Sequence, residues 1–247
     1  MSALTRGFLN RKSCFGFVLE QLFLFRVFAV SFVLFSGFES AAQADNQFEN
    51  LVPNGSFEDR LWCPSNFTQN ELQTLRHWKQ PNAGTPDHFD VCGATGVTGV
   101  PNNVFGSQET VDGLGYAGVV LYSGSKPNYR EYLQVELTRA LGPGEWVCAE
   151  WWVCAADEAR LITDGMGMHL SEAAPKAKGE GRLEVIAQIE NPALHLLSDR
   201  WSWVKLSDAF QAKGGEQFVT LGNFKPASDL RVMERQDASA ESSRWAY

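Results

Sequence analysis

Basic charge is scarce in this chain. Lys and Arg number 21 against 29 Asp and Glu, a net charge of −8. Residues 1–44 carry four of the basic residues (Arg6, Arg11, Lys12, Arg26) and only two acidic ones (Glu20, Glu39), so the remainder holds 17 basic against 27 acidic residues. No basic stripe is left, which excludes nucleic acid and anionic lipid as partners, since both reward clustered Lys and Arg. Catalytic signatures are missing as well. There is no G-x-S-x-G elbow, and the "SGSK" at Ser123–Lys126 sits in a Gly- and Pro-flanked turn rather than opening a helix. Four histidines, His77, His88, His169 and His195, form no H-E-x-x-H or other chelating pair.

Long apolar runs are also absent after residue 44. Before it, a basic n-region is followed by apolar residues from about Val27 to Phe38 and by small residues in "AAQAD". That order predicts a signal peptide over 1–44 cleaved after Ala44. Arg26 leaves only about 12 uninterrupted apolar residues, short of the ~20 that a spanning helix needs. The expected compartment is therefore the periplasm, the outer-membrane surface or the extracellular space.

Four cysteines follow the leader: Cys63, Cys92, Cys148 and Cys154. An oxidising compartment invites pairing, with three connectivities formally open. Cys148 and Cys154 lie in strand-like sequence, where six residues at ~3.3 Å each hold them ~20 Å apart, beyond the ~7 Å reach of a disulfide. Cys63 and Cys92 lie in Pro- and Gly-rich sequence and are expected to pair, leaving the other two as small buried hydrophobes.

Short β-branched and aromatic runs separated by Gly, Pro, Asn and Asp predict an all-β sandwich. Strands are expected at about 51–52, 116–122, 129–138, 145–155, 167–171, 184–189, 202–211 and 217–224, with one or two helical turns in "QNELQTLRHW". In the strand from Tyr129, Leu133, Val135 and Leu137 share a face with Tyr129, while Arg130, Gln134, Glu136 and Thr138 share the other, which predicts half burial. The strand from Glu145 is apolar on both faces apart from Glu150, as a central strand would be.

Eight tryptophans remain after the leader. Most fall in predicted strands, but Trp62 and Trp78 fall in loops, where a flat ring can stack on a sugar while nearby amides read its hydroxyls. The loop carrying Asn102, Asn103 and Gln108 is the next candidate for ligand contact. His88, between Asp87 and Asp90 in "TPDHFDVC", has the composition of a base or ligand, with a loop histidine beside a disulfide as the plainer account.

Taken in order, "NLVPNGSFE", "CPSNF", "TPDHFDVC", "GVPNNVFGSQE", "GYAGVVLY", "REYLQVEL" and "DRWSWVKLSDAFQAKGGEQFVTLGNF" resemble the galactose-binding-like β-sandwich of secreted and outer-membrane-associated bacterial proteins. Some of these carry an OmpA-type domain after it. The resemblance spans about Asn50 to Phe224 and implies an antiparallel jelly roll over 45–226. It also implies that Glu58, with Asn54 on the same turn, helps hold a structural calcium. Relatives end in an aromatic strand with an acidic pair. Here 227–247 reads as a polar loop and the start of an incomplete final strand, so the last strand is expected to be lacking and an open sheet edge to favour self-association.

The fold hosts many functions. The expectation is an exported, non-catalytic module that binds carbohydrate or another cell-envelope ligand. The alternatives are a secreted hydrolase of glycans or esters using His88, Asp87 or Asp90, and a structural surface protein making protein contacts.

Overall fold

The computed structural model describes residues 2–10, 49–67, 71–238 and 244–247. The expected leader and its cleavage point lie outside the described residues except for Ser2–Asn10, which form a strand. The strands are β1 (Ser2–Asn10), β2 (Asp87–Asp90), β3 (Asn102–Asn103), β4 (Gly106–Ser107), β5 (Gly115–Val119), β6 (Tyr122–Ser123), β7 (Tyr132–Glu136) and β8 (Trp146–Val153). They continue with β9 (Leu161–Thr163), β10 (Gly167–Ser171), β11 (Ile189–Glu190), β12 (Val204–Gln211), β13 (Phe218–Gly222), β14 (Val232–Glu234) and β15 (Trp245–Ala246). The helical period in "QNELQTLRHW" yields one 3-10 turn, Glu71–Thr74. No helix among the described residues is long and apolar enough to cross a membrane.

Two antiparallel sheets dominate, one of five strands in the order β12-β8-β1-β5-β2 and one of four in the order β11-β10-β13-β7. A single apolar cluster draws Ala117 and Val119 from β5 and Val147, Ala149 and Trp151 from β8. It meets Leu133 and Val135 from β7, Met168 and Leu170 from β10, and Val219 and Leu221 from β13. Every second residue of these strands faces the other sheet, which is the period of a sandwich core. The all-β sandwich follows directly from that alternation.

Several local expectations are corrected. The opening segment is a turn, not a strand: Leu51 and Val52 are buried, but Asn54 and Phe57 take φ of 52° and 63°, which breaks an extended run. The polar face of β7 is buried at its start, at Arg130 and Gln134, and exposed at Glu136 and Thr138. Lys79 exchanges backbone bonds with Gln134, whose Nε2 donates to Pro175 O and Thr220 Oγ1. Half burial holds at Glu136 and Thr138 and fails at Arg130 and Gln134, where flanking loops, invisible to strand parity, cover that face. The stretch 184–189 keeps only its last residue in a strand, β11.

The tail pairs in two short ladders, β14 with β9 and β15 with β6. The central place in the five-stranded sheet goes to β1, antiparallel to both β5 and β8. Cys63 and Cys92 are joined as expected, with Cα atoms 5.5 Å apart. Cys154 is free and buried. Cys148 is disulfide-bonded, against the expectation of a free thiol.

Candidate functional site

One end of the sandwich holds a cavity of about 250 Å³. It arises where the head of β7, the strand β2 and the tail strand β15 meet. Glu131, immediately before β7, falls on the same parity as Leu133 and Val135, so its carboxyl points inward between the sheets. Asp87 opens β2 and turns to the same space, and both are 2% exposed.

The surroundings of these two carboxyls are built from donors. Glu131 Oε1 accepts from Thr85 N at 3.2 Å, Thr85 Oγ1 at 3.3 Å and Tyr129 OH at 2.5 Å, while Oε2 accepts from Val120 N at 2.7 Å. Burial pushes the Glu131 carboxyl above its ordinary pKa, with those donors pulling the other way. Tyr247 OH donates to Asp87 Oδ2. Burial, followed by the charge of Asp87, raises the Tyr247 phenol well above its usual value, and burial, followed by Glu131, does the same to Tyr129. Both phenols stay protonated and act as donors.

Aromatic rings wall the cavity. Tyr247 stacks on Phe105 with centroids 4.1 Å apart and planes at 18°, and Phe67 meets Phe105 edge-on at 5.9 Å. Trp245 and Tyr129 complete the lining. The mouth carries Ser123 and Ser125, whose hydroxyls lie 3.1 Å apart, and the ion pair Lys126–Glu180 at 3.2 Å. An apolar wall with a few convergent polar groups has the composition of a small-ligand site.

The residues named from sequence are distributed differently. Trp78 is 3% exposed, tilts against Phe57 at 4.9 Å and donates to Asn54 O at 2.8 Å, so it is a core residue with no face for a ligand. Trp62 is 55% exposed and lies outside the cavity lining. Asn103 and Gln108 border a crevice of about 10 Å³. Asn103 donates to Tyr116 OH, and Gln108 accepts from the Cys154 thiol at 3.0 Å. Asn102 is exposed on β3.

His88 points away from the cavity because it alternates with Asp87. It is fully buried, with Nδ1 2.5 Å from Thr74 Oγ1, and burial, helped by Arg60, lowers its pKa to about 3. A histidine held neutral in the interior is a structural group here. Asp90 pairs with Arg60 at 2.9 Å and accepts from Cys92 N at 2.8 Å, anchoring the disulfide segment. The pair Asp87 and His88 is thus split between opposite faces.

Glu58 and Asn54 both engage backbone donors. Glu58 Oε1 accepts from Leu114 N at 2.8 Å and Gly115 N at 3.3 Å, and Asn54 Oδ1 accepts from Asp59 N. Among the described residues no three His, Cys, Asp or Glu side chains form a metal-sized group.

The cavity residues escaped sequence reasoning, yet one signal was there. Glu131 interrupts the apolar parity Tyr129, Leu133, Val135, Leu137, and a carboxyl at a core-facing position requires a nest of donors. No family model, curated protein or solved structure matches this chain.

Proposed function

We propose that this chain is an exported, non-catalytic binding module whose end cavity receives one ring of a carbohydrate. The observation that carries this reading is the cavity itself, with two buried carboxyls at one side and aromatic rings around them. Ring faces pack on the C–H faces of a pyranose, while Ser125, Lys126 and Glu180 at the rim exchange hydrogen bonds with its hydroxyls. The Cys63–Cys92 bridge supports export, because disulfides persist in oxidising compartments. Such a module resembles the galactose-binding-like domains in its sequence motifs and in being an antiparallel sandwich.

Two carboxyls in one cavity also favour a second reading, a glycan hydrolase, since acid and nucleophile are commonly paired carboxyls. Against turnover stands the occupation of both Glu131 oxygens by four protein donors. His88, the base that a hydrolase would draw on, faces the other way.

A hexose of about a dozen heavy atoms at ~0.3 kcal/mol each binds with ~4 kcal/mol, a Kd on the order of 1 mM. Titration with galactose, glucose and N-acetylglucosamine, followed by calorimetry and Trp fluorescence, tests this. Ser125 is exposed at the mouth, so Ser125→Trp should block the cavity and abolish the response with the circular dichroism unchanged. Saturable binding that survives Ser125→Trp moves the site elsewhere, and release of reducing sugar from a glycan panel supports the hydrolase.

A further inference from the structure

Beside the cavity runs an open groove of about 380 Å³ between Lys126–Tyr129 and Glu180–Gly181. The two spaces share Lys126, Tyr129 and Glu180 as common walls. We infer that the site is built for the end of a saccharide chain, with the terminal ring in the cavity and the next unit in the groove. This rests on the carbohydrate reading of the cavity.

Buried side chains hold the groove in shape. Arg130, 1% exposed, donates from Nη1 to Pro127 O at 2.9 Å and Tyr129 O at 2.7 Å, which fixes one wall. Asn82 Nδ2 donates to Arg130 O at 2.8 Å and Gly181 O at 3.1 Å, tying that wall to the other. Tyr129 pairs with Gly181 as a β-bridge across the floor. A groove whose backbone is already locked loses little entropy when a ligand enters.

The lining chemistry suits a second sugar. Pro127 offers an apolar ring face, Asn128 an amide with donors and an acceptor, and Lys126 and Glu180 opposite charges for hydroxyl groups. Tyr129 stands between the two spaces: its hydroxyl belongs to the Glu131 nest and its ring to the shared wall. The Lys126–Glu180 pair has side chains 67% and 48% exposed. An ion pair so exposed is worth little, so it yields readily to a chain passing from cavity to groove. On the opposite side the Asn128 amide packs against Gly181, where a Cβ would stand 2.7 Å from Asn128 Nδ2 and displace it.

The experiment compares the monomer with the β-1,4-linked dimer and trimer of galactose, glucose and N-acetylglucosamine, by calorimetry on the full chain. In the best-bound series the dimer should bind at least tenfold tighter than the monomer, and the trimer little tighter than the dimer. Gly181→Val narrows the groove and Asn128→Ala removes its amide. Each should erase most of the dimer's advantage while leaving monomer Kd within twofold. A dimer no tighter than its monomer, or variants that weaken monomer and dimer alike, overturns the two-unit site while the cavity reading stands. Absence of binding by every saccharide overturns both.

Discussion

Glu131 concentrates the cost of placing a charge inside a sandwich. Four donors from three residues converge on its two oxygens, and each loses its acceptor if the carboxyl goes. A buried orphaned donor costs about 1–3 kcal/mol, so Glu131→Ala should lower unfolding free energy by roughly 3 kcal/mol or more in urea titration. A loss below about 1 kcal/mol would mean that water replaces the carboxyl. His88 makes a complementary prediction about pH. Its folded pKa, about 3, lies below the ordinary 6.5, so the unfolded chain binds the extra proton first. Its contribution is complete above about pH 6.5 and is lost as pH falls toward 3, with a slope approaching ~1.4 kcal/mol per pH unit. His88→Gln, compared with the parent chain between pH 7 and 4.5, should flatten that acid limb. Equal acid sensitivity in both proteins would place the titrating group elsewhere. The raised Glu131 acts with the opposite sign, favouring the folded state below its ordinary pKa and losing that contribution as pH rises through the folded value.

The turn from Asn54 to Asp59 directs its side-chain oxygens at backbone donors. Its carboxyl, Glu58, closes over Gly113, whose φ is +67°, and holds the backbone at Leu114 and Gly115. Melting temperatures with calcium and with chelator should therefore agree within about 1 °C, an expectation set by the ~2–4 °C that 1 kcal/mol is worth in a chain of this size. Glu58→Ala should cost about 1 kcal/mol in either buffer, because two N–H groups lose an acceptor. A calcium-dependent rise abolished in Glu58→Ala would restore the metal. The long strands were legible in the sequence because their two-residue period is read from the residues themselves. Gly167–Ser171 was bounded correctly, and β8 and β13 nearly so. The short strand β2 was not, since "DHFD" has turn composition and is held extended by its ladder with β5 and the bridge from Asp90 to Gly99. Trp78 was misjudged for a related reason: loop tryptophans look alike in sequence, and only the close approach of Phe57 decides that this one is core. The cavity was hidden because its parts, Asp87, Glu131 and Tyr247, are brought together across 160 residues by pairings that no local pattern encodes.

The molecule as a whole turns on β1. Its register runs Ser2↔Val119 to Leu4↔Ala117 along β5 and Thr5↔Trp152 to Asn10↔Cys148 along β8, so among the described residues it links β2–β5 to β8–β12 in the five-stranded order. Cleavage after Ala44 and this strand cannot coexist in one molecule. Without residues 1–44, the edges of β5 and β8 face each other across about two strand spacings, roughly 10 Å, too wide for them to pair directly. Each edge then presents unpaired N–H and C=O groups, which recruit a strand from another chain. Light scattering after size exclusion should therefore find the full chain monomeric and residues 45–247 self-associated. A peptide spanning residues 2–10, added in trans, should return the shorter form toward monomer and raise its melting temperature by several degrees, since a strand that binds only the folded state stabilises it by mass action. A shorter form that is monomeric, melts cooperatively at the temperature of the full chain and ignores the peptide would show that the sheet closes without β1.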